Sequence, residues 1–573
     1  MPGFFVSNAQ VALSLKDVYP ERCVAEAVEA SGLTAMRNTL NKFMLDKTLT
    51  ETEEGIVIAE GFLLNKKALF AQYGVEDMAS LLWAMYRQEG ETYFAAFRGS
   101  FSGALYDRAQ DKWLVYTNQI ADNTLFYALA DGKFYAGTQV NYVIDACKAA
   151  GIPLTLDEAG VYQILTSAFM VNDATYAKEI RRLRGGTYLC VEKGVATVKE
   201  YHQFVPHREK YAGKTEAELV ELVDEAFRAA AEMEFAKDEE YGLEHLSDIS
   251  GGMDTRATMW VGHAMKPRHM QLITYCRADY LDEVIAKEIA DYWKDELLVK
   301  PLDDVSFIYD LDQMVFMNGG LCLYSGISGG NRMLNSLNMD RFGLEHTGQM
   351  AGTIIGSYYH SMEDEVNHKP TGRFSEKLVH RLPEEIQTYY NNFADHEMYL
   401  MYGRGFQGIL STHMMRRNYT EVTTPFMDVD FMQLCFDIHP TIRMSRNLYK
   451  KWLLAKYPDT AKFRWEKTGG KFTEGKLRAT LRRLVTKGPQ KLMRMTGNAK
   501  YLKNAMSPMD YWYNTNGDMK RFMDTYETEG YAALPVEASE QLISDMKWLY
   551  STGTVREKAM VLTVLAACKL YFG

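Results

Sequence analysis

The sequence predicts two domains: an α+β layered domain over residues 1–205 and, after a linker at 206–215, an α/β domain over 216–573. The second is expected to be a doubly wound parallel sheet with a helical C-terminal part. Three observations carry this. At 573 residues the chain exceeds what one hydrophobic core holds together. Its first two hundred residues read as short strands joined by hairpin turns, whereas the chain after about residue 215 alternates strands with helices. Between the two patterns lies Pro206-His207-Arg208-Glu209-Lys210-Tyr211-Ala212-Gly213-Lys214, a polar, turn-rich stretch of the kind that separates domains.

In the first domain, Ile56–Ala59, Phe101–Tyr106, Lys112–Tyr116, Thr124–Ala130 and Lys133–Gly137 are short, apolar-patterned runs that read as strands. Asp107-Arg108-Ala109-Gln110-Asp111 and Ala130-Asp131-Gly132 supply turns that fold neighbours into hairpins. Met78–Gln88 and Leu156–Leu165 read as helices layered against them. The second domain opens at Thr215–Phe235, where Leu219, Leu222, Val223, Ala226, Phe227 and Ala230 recur at helical spacing. The run Gln271–Cys276 predicts a buried strand, Asp282–Trp293 a helix and Glu296–Lys300 a further strand. Such alternation forces right-handed crossovers and hence a parallel sheet. The apolar run Ala559–Phe572 is short for a membrane span and broken by Lys569, so it reads as a terminal helix facing the core.

Ahead of those strands, Leu246–Arg256 reads as a strand end, a glycine turn and a helix from about Thr255 to Ala264. A turn of this kind aims unpaired N–H groups and the positive end of a helix at one point, which makes an anion cradle. Ser250 and Thr255 add hydroxyl donors, and Gly251 and Gly252 let the main chain approach an anion without a Cβ in the way. Asp254 offers a carboxylate for Mg²⁺ held against the same phosphates. The same residues also make an ordinary Gly-Gly turn with a capping aspartate, and the local pattern does not separate the two. In doubly wound sheets ligands lie beyond the carboxyl ends of the strands, where the Ser250 loop and the residues after Tyr275 fall.

A hydrophobic fraction of 47% and a charged fraction of 24% are those of a globular protein. The net charge of −11 argues against bulk binding of nucleic acid or of an anionic membrane. Seven cysteines are scattered singly without Cys-x-x-Cys spacing, which points to reduced thiols in a cytoplasmic protein and to no zinc or iron–sulfur centre. The N-terminus lacks the sections of a signal peptide. Residues 476–503, rich in Lys, Arg and Met, read as amphipathic helices whose basic face is either solvated or a groove for an acidic or peptidic partner. The 32 methionines suggest adaptable packing.

Ser250-Gly251-Gly252-Met253-Asp254-Thr255 resembles the pyrophosphate loop of N-type ATP pyrophosphatases, in particular of the asparagine synthetase family. The resemblance extends along the chain. Glu60–Asn65, Phe97–Asp107 and Ile180–Tyr188 resemble segments of that family's glutamine amidotransferase half. Thr347–Tyr358, Glu421–Phe431 with Ile438-His439-Pro440 and Lys450–Leu454, and Arg464–Phe472 resemble segments of its synthetase half. The resemblance implies an Ntn-hydrolase-like first domain of the class II amidotransferase kind and an adenine nucleotide alpha hydrolase-like second domain that uses ATP and Mg²⁺. It implies that an adenine ring rests against Ile273–Cys276, so that Ile273 and Tyr275 join Ser250, Gly251, Gly252, Asp254, Thr255 and Gly348 as nucleotide-binding residues. Lys467 becomes the catalytic lysine, with Lys471 in reserve, and Glu421 a residue near the substrate.

The departures are chemical. A glutaminase of this class needs an N-terminal cysteine; position 2 is Pro and the nearest cysteine is Cys23. The family's glutamine-holding Arg-Asp-x-x-Gly is replaced around Thr117–Asp122, so the first domain is expected to be a degenerate scaffold without ammonia production. In the second domain Gln349 stands for a glutamate and Gly352 for an acidic metal ligand, leaving Asp254 as the metal residue with Asp248 or Glu345 to help. Thr423 stands for an arginine. Arg256 replaces a small hydroxyl residue and either forks onto a phosphate or substrate carboxylate or pairs with a surface acid.

The resulting expectation is an ATP-dependent, AMP-forming amide synthetase that adenylates a carboxylate and joins it to an amine, without glutamine hydrolysis, similar in this to β-lactam synthetases and lasso-peptide cyclases. A peptide, a small molecule or a sugar acid would each serve as substrate. The alternative is a catalytically inactive homologue that binds a nucleotide or a partner. A working glutaminase–synthetase is not expected, and homo-oligomerisation is left open.

Overall fold

The computed structural model describes residues 2–28, 32–266, 268–356, 373–393, 395–471, 473–474, 482, 493 and 502–573. The first part of the chain holds two six-stranded antiparallel sheets. One runs in the order Ile180–Arg182, Phe126–Ala130, Lys133–Gly137, Gly3–Ser7, Thr34–Leu40, Cys23–Val28. The other runs Val195–Glu200, Thr187–Glu192, Lys112–Thr117, Gly99–Asp107, Gly55–Leu63, Thr48–Glu51. Side-chain alternation explains how they stack. Ile56 and Ile58 meet Phe4, Val6 and Ala136 of the first sheet in one core, together with Trp113 and Val115. The intervening Val57 and Ala59, with Leu114 and Tyr116, face outward onto the helices Lys66–Tyr73 and Met78–Glu89. The outer face of the first sheet, at Phe5, Phe126 and Tyr135, is covered by Val140–Ala149 and Glu158–Ser167. The domain is thus helix, sheet, sheet, helix.

A capping box, in which Thr215 and Glu218 satisfy one another's backbone N–H groups, starts the 25-residue helix Glu216–Glu240. Beyond it lies a five-stranded sheet, parallel throughout, in the order Glu296–Pro301, Met270–Cys276, Glu244–Asp248, Phe342–His346, Val422–Thr423. Leu272 and the helices Glu216–Glu240, Asp254–Met265 and Leu281–Trp293 share a core on one face. Leu246 and Ile273 join Leu311–Asn318 and Tyr324–Leu334 on the other. The chain adds strands outward from Glu244–Asp248 in one direction, then returns to add Phe342–His346 and Val422–Thr423 on the opposite side. The crevice that such a reversal opens lies past Asp248 and His346.

The last helix, Val555–Phe572, is buried on nearly every side, so it has no polar face to present to water. Its Met560, Val564 and Ala567 pack into the core shared by Val140, Ile164 and Leu165 of the first domain and Leu311 and Met314 of the second. No described helix is long and apolar enough to cross a membrane. The segment 476–503 lies almost wholly outside the described residues, as do Ser357 and Tyr358.

Candidate functional site

The glycine turn leaves the central strand at Asp248 and feeds the helix Asp254–Met265, whose first turn has no capping side chain. Its N–H groups therefore point into the crevice without the usual hydroxyl or carboxylate acceptor. Ser250 Oγ lies 3.2 Å from Thr255 Oγ1 and accepts the Gly252 N–H at 3.1 Å. Gly251 donates its N–H to Asp282 Oδ1 at 2.7 Å. Gly348 arrives from the next strand and packs flat on the helix start; a Cβ there would stand 2.2 Å from Thr255 N. Only glycine fits so close an approach. The two glycine segments singled out in the sequence are thus one structural unit.

Asp254 is met by Arg446, with Nη1 3.0 Å from Oδ1. Burial pushes the Asp254 carboxyl up, and Arg446 pulls it back toward the charged form. Arg446 is aimed by an uncommon backbone: Ser445 and Arg446 are both left-handed, at φ 54° and 64°. Each such residue costs on the order of 1 kcal/mol or more. Glu466 N donates to Gly251 O at 2.9 Å, which ties the segment 464–470 over the turn. Exposed Lys467 follows within charge range of Asp254, its ammonium 5.7 Å from the centre of the Trp465 ring. Lys450 approaches the same ring at 5.9 Å, and burial together with Arg446 and Lys467 lowers its pKa. Arg446 and Lys467 therefore both act on Asp254, with Lys450 next to them.

This arrangement does not by itself fit a resident divalent ion. The two acids expected to help Asp254, Asp248 and Glu345, both bind Arg416 Nη1 instead, Asp248 at 3.2 Å. Arg416 also donates to Tyr275 Oη at 3.1 Å. Tyr275 stays half-buried at the strand end, but Ile273 is 2% exposed, deep in the core, with no face for a ring to rest on. Arg256 also differs from expectation. It is fully buried and donates to the carbonyls of Thr460 (3.1 Å), Arg464 (2.7 Å) and Gly251 (3.4 Å), pinning the Lys467 segment to the turn rather than forking onto an anion or a surface acid.

Glu421 is placed elsewhere. It is buried, 3.2 Å from Arg417 and 3.9 Å from Lys47 of the first domain, whose Lys47 also lies 4.0 Å from Glu60. Arg417 reaches on to Asp122 at 2.6 Å and to Ser100. The segment Thr117–Asp122, which by resemblance would hold glutamine, thus holds an arginine from the second domain. Cys23 begins an edge strand and has its thiol pushed up to about 12 by burial and by Asp17, so it is a poor nucleophile. Gln349 is engaged by Thr412 and His413.

Sequence reasoning missed Arg446, Lys450, Asp282 and Glu466 as site residues. Asp282 entered only as a helix start. Burial, with Glu466 adding to it, pushes its carboxyl up to about 6, against the pull of the Gly251 N–H. Above that pH the charged carboxylate competes with any anion for Gly251. Asp282→Asn is therefore expected to tighten binding of inorganic pyrophosphate about tenfold near pH 7.5, the worth of one charge-assisted hydrogen bond. The advantage over the parent should shrink as pH falls through about 6, where Asp282 becomes neutral. Calorimetric titration of both proteins at several pH values checks this; a constant ratio speaks against competition at Gly251.

Among known proteins, a family model described as a glutamine amidotransferase domain matches residues 58–202. No curated protein matches. Two of the solved structures that resemble the chain are a glutamine phosphoribosylpyrophosphate amidotransferase from B. subtilis complexed with ADP and GMP, and an allosteric regulatory enzyme of purine biosynthesis. The first shows 8% identity and a TM-score of 0.25, covering 52% of this chain and 91% of that one. The second shows 8% and 0.24, covering 52% and 74%. Likenesses this distant carry no argument about activity. The match that counts is the glutamine amidotransferase domain at residues 58–202.

Proposed function

We propose that the second domain, residues 216–573, activates a carboxylic acid with ATP as an acyl-adenylate and passes it to an amine, releasing AMP and pyrophosphate, in the manner of an asparagine synthetase-like ATP pyrophosphatase domain. The observation that carries this reading is the tether from Glu466 N to Gly251 O, which puts Lys467 beside Asp254 at the mouth of the glycine turn. The uncapped first turn of Asp254–Met265 would receive phosphate oxygens, and Lys467, Lys450 and Arg446 would face their negative charge. A substrate carboxylate oxygen attacks the α-phosphorus, and pyrophosphate leaves with the bond electrons. An amine then attacks the acyl carbon, the bond from that carbon to the phosphate oxygen breaks so that AMP departs with its electrons, and the amine nitrogen gives up a proton to solvent. Lys467 stabilises charge that grows on the leaving phosphates, and holding the reactants together supplies much of the rate. Asp254 is paired with Arg446, so the charge of the phosphates falls to the chain's own cations.

The second reading, a protein that binds a nucleotide or partner without turnover, is favoured by Asp282, whose carboxylate fills part of the anion cradle. Pyrophosphate release from ATP, screened against a panel of peptide, small-molecule and sugar carboxylates with an amine present, separates the two. Carboxylate-dependent release supports the synthetase; nucleotide binding with no release for any candidate supports the second reading. Glutamine is expected to yield no ammonia in the same assay, since Arg417 fills the Asp122 corner of the first domain. Ammonia formation at an enzymatic rate would overturn that part.

A further inference from the structure

We propose that the cavity between the two domains at the linker is a binding site for a free α-amino acid with an apolar or aromatic side chain. The cavity measures about 480 Å³, within the range of small-molecule sites. It is lined by the turn after the strand Ile180–Arg182, by residues 203–206 where the chain enters the linker, and by the π-helix Met401–Ile409. π-Helical turns are rare and frequent at functional sites, and this one runs for nine residues.

Arg182, fully enclosed, braces the end of this helix: it donates to the carbonyl of Gln407 at 3.2 Å and to Ser411 Oγ at 3.0 Å. Gly408 lets the helix lie against the Phe169 ring, where a Cβ would stand 3.0 Å from Cγ. The result turns Tyr402 and Phe406 toward the cavity, and Tyr402 Oη is held by the Phe204 N–H at 3.0 Å. With Phe393 these rings form an apolar wall.

The charged lining decides the class of ligand. Arg184, two residues after Arg182, and Glu200, at the end of the strand Val195–Glu200, enter from the first domain, while Glu385 enters from the second. Among the described residues none of the three makes an ion pair. All three are exposed at the rim, where Tyr389 also faces Arg184, so a purely apolar guest would draw nothing from them. A molecule carrying a carboxylate for Arg184, an ammonium for Glu200 or Glu385, and an apolar body for the rings matches all of them. That is a zwitterionic amino acid. The site is separate from the glycine turn and does not rest on the synthetase reading.

The test is calorimetric titration of the full chain with L-phenylalanine, phenylacetate, which lacks the ammonium, and phenethylamine, which lacks the carboxylate. L-Phenylalanine is expected to bind, and each analogue to bind at least tenfold more weakly. Arg184 is exposed, so Arg184→Gln should keep the parent's melting temperature while its L-phenylalanine affinity falls to that of phenethylamine. Glu385→Gln, also at an exposed residue, should erase the difference between L-phenylalanine and phenylacetate. No binding of L-phenylalanine at about 10 mM, equal affinity for the three compounds, or an Arg184→Gln protein that binds as the parent does would each overturn the proposal.

Discussion

Lys467→Ala is expected to lower carboxylate-dependent pyrophosphate release by about 10²–10³-fold while leaving ATP affinity within about fivefold of the parent. The asymmetry follows from where the side chain stands. Lys467 is exposed at the edge of the site, beside the Trp465 ring, so in the resting state water screens most of what it contributes to a bound triphosphate, which Arg446 and Lys450 also face. Charge that develops on the departing pyrophosphate is a different matter, because only a preplaced cation meets it without reorganisation. Lys467→Arg should recover part of the rate, and Lys471→Ala should change it by no more than about twofold, since among the described residues no bond ties Lys471 to the turn. Single-turnover release and equilibrium ATP binding, measured on the same proteins, check the split. Equal losses in both would make Lys467 a binding residue only, and no loss in either would remove it from the site.

How much of this was legible in the sequence depends on how local each feature is. Lys133–Gly137 and Met78–Glu89 were read almost to the residue, because their apolar periodicity and flanking turns lie within the element itself. Cys23–Val28 and Thr34–Leu40 were not. The first is an edge strand with exposed Ala25 and Glu26, and the second buries Arg37, Asn38 and Thr39, whose partners are Glu26, Glu60 and Asp17 on other segments. A polar residue that is buried because a distant partner awaits it breaks the alternation that marks a strand. The site divides in the same way. Ser250–Thr255 and Gly348 declare themselves, since a close backbone approach demands glycine. Arg446 reaches Asp254 from almost two hundred positions away, through a left-handed pair that no local pattern announces. Ile273 misled for a third reason: Ile273 and Tyr275 share a sheet face, and only the depth of the strand in the core distinguishes a residue at the crevice from one beneath it.

That left-handed pair leads to a second large effect, on stability. Glu397, 2% exposed, receives Arg443 through both terminal nitrogens at 2.7 and 2.8 Å, and Arg208 of the linker at 2.8 Å. Arg443 is equally buried and donates besides to the carbonyls of Ile354 and Ile438, each at 2.9 Å. Burial alone would lower the Arg443 pKa, but Glu397 outweighs it and holds the guanidinium charged. Glu397→Ala leaves that charge enclosed without its partner, which is expected to destabilise the second domain by about 3–5 kcal/mol. Asp395 still holds Arg208 at 2.7 Å, so the linker should stay docked. Joint replacement of Glu397 by Leu and Arg443 by Met should return part of the loss, because an apolar pair removes the enclosed charge while the Ile354 and Ile438 carbonyls still lose their donor. Denaturant unfolding of the three proteins tests this, and a single-variant loss under about 1 kcal/mol would show that the pair is not what fixes this corner. The same variants separate structure from site. Arg443 anchors the chain two residues before Ser445, so the double variant, stable but without the anchor at Ile354 and Ile438, should hold Arg446 less firmly on Asp254. A weakened response of pyrophosphate binding to Arg446→Ala in that background would show that the strained turn works only while Arg443 braces it.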